Sequence, residues 1–137
     1  MKSSLRPGLT RTNRISIDRD RTISFMGEEA RTYSTPSMIR DIEHTCRDLI
    51  LEHADAGEDS VGMEVAVKHL APTLMGMTAT IDVQLKSVEG RKISFDCAVK
   101  DDLDAVGSGS HTRFVVEKAR TLERIKAKAA RVAGRKQ

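Results

Sequence analysis

The chain has no tryptophan, one tyrosine and three phenylalanines in 137 residues, and it carries two cysteines, three prolines and no long apolar run. Each shortage excludes something. Without a stretch near the roughly 18 apolar residues of a membrane span, and with a start at Met1 to Thr10 lacking the core of a secretory signal, the expected compartment is the cytoplasm. Cys46 and Cys97 form no Cys-x-x-Cys pair and fall on a helix face and a strand, which reads as two buried thiols, although sequence alone leaves a disulfide open. His44, His53, His69 and His111 lack metal-ligand spacing, so no metal site is expected.

What is present fits one soluble domain: 39% hydrophobic and 31% charged residues, long enough to bury a core without metal or disulfide staples. The formal charge of +3 is unevenly placed, at +3 over residues 1–34, −7 over 35–112 and +7 over 113–137. The body is acidic and the ends are basic. A basic tail invites a nucleic-acid reading, but it has no aromatics for stacking and adjoins an acidic body, which argues against nucleic acid as the partner.

From Thr35 to about Ala54, Met38, Ile39, Ile42, Cys46, Leu49, Ile50 and His53 recur at three- and four-residue steps and predict an amphipathic helix. Thr35 suits the N-cap with Pro36 at the first helical position, and Gly57 suits a left-handed turn at the end. Alternation then predicts strands at Val61 to His69, Met77 to Leu85, Ile93 to Val99 and Ala105 to Val116, with Glu89-Gly90 and Asp101-Asp102 as turns. A further strand is expected around Arg14 to Ile17, and Arg19 to Ser34 has no clear period. One helix followed by an antiparallel meander predicts an α+β domain whose curved sheet wraps the helix. The divisions are 1–34 as strand and lid or loop, 35–116 as core, and 117–137 as a basic helix or tail.

Thr35-Pro36-x-Met38 with Glu43, then Val61-Gly62-x-x-Val65-x-Val67-x-His69-Leu70-Ala71-Pro72-Thr73, Ser87-Val88-Glu89-Gly90-Arg91 and Gly107-Ser108-Gly109-x-His111-x-Arg113 together resemble the hotdog-fold acyl-CoA thioesterases, most nearly the fluoroacetyl-CoA thioesterase type. The resemblance implies a hotdog fold and a homodimer or higher homo-oligomer, often with sites at the subunit interface. It also implies hydrolysis of a small acyl-CoA, in which CoA is part of the substrate and no cofactor is needed. Residue by residue it gives Thr35, Glu43 and His69 the catalytic positions, and Gly62 and Arg113 positions in the substrate site. The fluoroacetate-handling type has an aromatic-rich lid before the threonine, where this chain offers only Phe25 and Tyr33.

The residue types fit that chemistry. On a wheel of about 100° per residue Glu43 lies roughly 20° beyond the apolar face, a half-buried place suited to a general base or a nucleophile. His69 can relay a proton to a departing thiolate, with Glu43 fixing its tautomer, or else be a satisfied core histidine. Free N–H groups at the helix start can polarise a thioester carbonyl. Arg113 can pair with a carboxylate or bind a CoA phosphate or pantetheine carbonyl. Gly107 and Gly109 read as close strand packing rather than a phosphate loop. A non-catalytic acyl-CoA or small-ligand module on the same scaffold is the alternative function.

Overall fold

The computed structural model describes residues 1–135. Strand β1 (Thr10–Ser16) leads through two single-turn 3-10 helices, Arg19–Arg21 and Glu28–Ala30, into helix α1 (Thr35–Leu51). Four strands follow, β2 (Glu58–His69), β3 (Thr78–Glu89), β4 (Lys92–Lys100) and β5 (Ala105–Glu117), and helix α2 (Lys118–Arg135) ends the chain. The 117–137 segment is thus helical from Lys118 as far as described, residues 136 and 137 lying outside the described range.

All pairings are antiparallel, and the sheet order is β1-β3-β4-β5-β2. The meander expectation holds for β3, β4 and β5, whose short turns make neighbours of consecutive strands. It fails for β2, which pairs with β5 and not β3. Residues 70–77, broken by Pro72, therefore carry the chain across the sheet.

Helix α1 lies on one sheet face. Met38, Ile42, Cys46, Leu49 and Ile50 are buried as the periodicity predicts, against Ile81, Val83, Leu85, Ile93, Phe95 and Val99. Each such aliphatic side chain taken out of water contributes about 1.5–3 kcal/mol, and cross-strand pairs Ile81–Val99 and Leu85–Phe95 present them as one surface. Asp41 and Thr45 are also buried in this face. The helix start differs from expectation: Ser34 is the N-cap, its hydroxyl accepting from the Ser37 N–H, while Thr35 and Pro36 open the helix. That releases the Thr35 side chain from capping. The last turn stops at Leu51, short of Ala54, and Gly57 takes φ +83° in the turn into β2.

The valine face of β2 is only partly covered. A bulge between Gly62 and Glu64 changes which residues face α1: Ser60 before it, then Val65, Val67 and His69 after it, opposite His111, Gly109 and Gly107. Val61 falls on the outer side opposite Phe114, and Val61 and Met63 are exposed. Gly109 is glycine for the packing reason expected: a Cβ there would stand 2.1 Å from the Ala66 carbonyl oxygen.

Candidate active site

Releasing Thr35 from the cap turns its hydroxyl towards β2, where Oγ1 and His69 Nδ1 share a 2.8 Å hydrogen bond. His69 Nε2 is buried and has no partner among the described residues. Burial holds the imidazole below its ordinary pKa. Both residues border a cavity of about 400 Å³ that is also lined by Ile23, Phe25, Thr32 and Tyr33. The Arg19 to Ser34 stretch thus forms one wall, with Phe25 largely exposed at its rim and Tyr33 buried beneath.

Tyr33 is fixed from below. Its hydroxyl donates to Asp41, which also receives Arg21 Nε at 3.0 Å, so one buried carboxylate ties both ends of the 21–33 segment to α1. The tyrosine ring stands edge-on to His69, with 6.4 Å between centroids. This anchor was not foreseen, although its signal was present: Met38, Asp41 and Thr45 follow one another at three- and four-residue steps.

Glu43 does not join this group. Eight residues along α1 from Thr35, it is displaced roughly 12 Å along the axis, and the tautomer of His69 is addressed by Thr35 rather than by Glu43. Glu43 is about one-third exposed (35%), as its wheel position predicts, and its carboxylate faces Gly62. A Cβ at Gly62 would stand 2.8 Å from Glu43 Oε1, so the missing side chain makes the carboxylate's room. Behind it lie His111, with Nε2 3.9 Å from Glu43 Oε1, and Arg113.

Arg113 is buried. It donates from Nε to Ser60 Oγ and from Nη2 to the Ser60 carbonyl, both at 2.7 Å, and from Nη1 to His111 Nε2 at 3.2 Å. Burial draws its pKa down, while the Glu43 charge opposes that. Single-chain geometry therefore divides the five expected residues into Thr35 with His69, and Glu43 with Gly62 and Arg113. Ser60 and His111 join the second group without having been assigned to it from sequence.

Elsewhere, Cys46 and Cys97 are free and buried, and the neighbouring Cys97 thiol together with burial pushes the Cys46 thiol above its ordinary range. Among the described residues no cluster of three His, Cys, Asp or Glu side chains is arranged to hold a metal, and no helix is long and apolar enough to cross a membrane.

A family model described as fluoroacetyl-CoA-specific thioesterase (FlK) matches residues 17–119. The fluoroacetyl-CoA thioesterase of Streptantibioticus cattleyicolor is 30% identical over 135 residues, covering 93% of this chain and 94% of that protein. A solved structure of a point variant of the fluoroacetyl-CoA-specific thioesterase, in complex with fluoroacetate and CoA, superposes with a TM-score of 0.80 at 28% identity, covering 85% of this chain and 99% of that one. A thioesterase superfamily member from Thermus thermophilus shares the fold at a TM-score of 0.86 and 22% identity, over 93% and 96% of the two chains.

Proposed function

Because the chain belongs to the fluoroacetyl-CoA-specific thioesterase family, we propose that it hydrolyses the thioester of a small acyl-CoA, in a site completed by a second copy of the chain. The observation that carries this is the division of the five residues. Thr35 with His69 at the start of α1, and Glu43 with Gly62 halfway along it, are what an isologous pair needs to build two sites, each drawing one group from either chain. The outer edge of β2 supports the pairing, since it is a twelve-residue edge strand with Val61, Met63 and Val65 exposed beside unpaired backbone groups.

In that site Glu43 acts on the thioester carbon. As a general base it takes a proton from water; as a nucleophile it forms an acyl anhydride that water then opens. Either way the C–S bond breaks and the CoA thiolate leaves. The 2.8 Å Thr35–His69 bond serves the reaction in the tautomer where the hydroxyl donates to Nδ1 and the ring proton sits on Nε2, the position from which it can pass to the thiolate. The Thr35 N–H, left over because Ser34 takes the Ser37 and Met38 N–H groups and Pro36 has none, donates to the carbonyl oxygen and the helix dipole adds to the stabilisation. The small cavity wall of Ile23, Phe25 and Tyr33 favours a short acyl group, and the CoA moiety brings the chemistry no separate cofactor has to supply.

Thiol release measured across a panel of short acyl-CoAs, fluoroacetyl-CoA included, tests the reading. Turnover of at least one, falling about a hundredfold or more in Glu43→Ala and His69→Ala, is expected. Full activity in Glu43→Ala contradicts the mechanism, and acyl-CoA binding without turnover marks a binding module.

A further inference from the structure

Arg113 presents a physical puzzle. It is a buried cation, and among the described residues no carboxylate lies within 4 Å of it; the three acceptors it meets, Ser60 Oγ, Ser60 O and His111 Nε2, are neutral. A buried charge held this way is costly unless its field is used. The bonding also fixes the state of His111. Nε2 accepts from Arg113, so the ring proton sits on Nδ1, which donates to the Glu64 carbonyl at 2.8 Å. A second proton on Nε2 would point at the guanidinium, so the ring is a neutral acceptor with one allowed tautomer.

Ser60 and His111 reach Arg113 from different strands. Ser60 precedes the β2 bulge, and His111 lies two residues from Arg113 on the same face of β5, so sheet geometry sets all three directions of the guanidinium fork. The side left over is the side of Glu43. Gly62, which makes room for that carboxylate, is also 3.7 Å from Arg113 Nη1 measured from its would-be Cβ.

We propose that Ser60 and His111 are positioning residues that clamp Arg113, so that its charge is presented to Glu43 at a fixed distance without capturing the carboxylate in a direct ion pair. Glu43 then stays free to meet water or the acyl carbon while its negative charge is supported from behind. The proposal rests on the thioesterase reading for its catalytic consequence, and on this chain's geometry for the clamp.

The test combines kinetics with proton–nitrogen NMR of the Arg113 Nε–H. His111→Ala and Ser60→Ala should each lower kcat about tenfold or more with KM within about twofold, and His111→Gln, whose amide oxygen can accept from Arg113, should recover most of it. In an Arg113→Lys background His111→Ala should cost less than about twofold further, because the residue acts through the fork. The Arg113 Nε–H should be sharp and exchange-protected in the parent, broadened in His111→Ala and restored in His111→Gln. Additive kcat losses, or an Arg113 signal unchanged in His111→Ala, overturn the proposal. A parent inert on the whole acyl-CoA panel brings down the thioesterase reading and with it the catalytic role of the clamp, while the resonance still decides whether the clamp exists.

Discussion

Glu43 and Gly62 show how a single missing side chain can serve function more than stability. A methyl at Gly62 crowds only the movable end of Glu43, with His111 and Arg113 at ordinary contact distance, so Gly62→Ala should fold normally, with a melting temperature within a few degrees of the parent, and still lose about tenfold or more in kcat. A large drop in melting temperature with unchanged kcat would contradict that. The half-buried His69 and the buried His111 make a separate prediction about pH. Burial lowers the pKa of both His69 and His111, the latter helped by the Arg113 charge and opposed by the Glu64 carbonyl and Glu43, from an ordinary 6.5. Folding therefore favours their neutral forms. Below pH 6.5 the unfolded chain binds more protons, so stability is full above that value and falls as the pH drops towards the folded-state pKa values. Urea midpoints should be lower at about pH 5.5 than at about pH 7.5, a window above the usual carboxylate range. Equal midpoints would refute it. At this scale the family motifs singled out Thr35, Glu43, His69, Gly62 and Arg113, which the single chain brings together as two separate groups. Ser60 and His111 were not assigned, because their role depends on a strand register that spacing along one strand does not reveal.

Among the elements, α1 was the most legible and β2 the least. Helix periodicity reports burial directly, since the covered stripe and the apolar stripe coincide. The two exceptions, Asp41 and Thr45, are buried polar residues whose side chains take partners from outside the helix: Asp41 takes Tyr33 and Arg21, and Thr45, while donating to the Asp41 carbonyl, accepts from Asn13 on β1 at 3.0 Å. For β2 a period of two predicts a strand without saying which face is covered, and the bulge after Gly62 switches the phase midway. The 19–34 segment had no period because its order comes from polar anchors rather than an apolar face. Asp41→Ala should therefore act on that segment. It leaves Arg21 and the Tyr33 hydroxyl without their shared acceptor and should cost about 3 kcal/mol, with amide exchange of residues 21–33 rising more than that of β3 and β4. Uniform acceleration across the sheet would place the role of Asp41 elsewhere.

For the whole molecule, the net charge of +3 conceals an acidic body and a basic C-terminal helix. Arg120, Arg124, Lys128, Arg131 and Arg135 fall on one side of α2, and Leu122 and Ile125 remain exposed on another. The sequence made the sheet-on-helix architecture legible, but it could not state the strand order, because β2 joins the sheet through a contact with the far end of the chain. Nor could it show that the expected catalytic residues separate into two groups within one chain, the division on which the proposed pairing of chains rests.

That pairing is tested most directly by subunit complementation. Glu43→Ala and His69→Ala variants, each inactive alone, are co-refolded and assayed for thioester hydrolysis. If Thr35 and His69 of one chain work with Glu43 of the other, mixed dimers hold one intact site, and random pairing restores about one quarter of the parent activity. A mixture no more active than its separate components would mean that each chain carries its site alone, and would contradict the account.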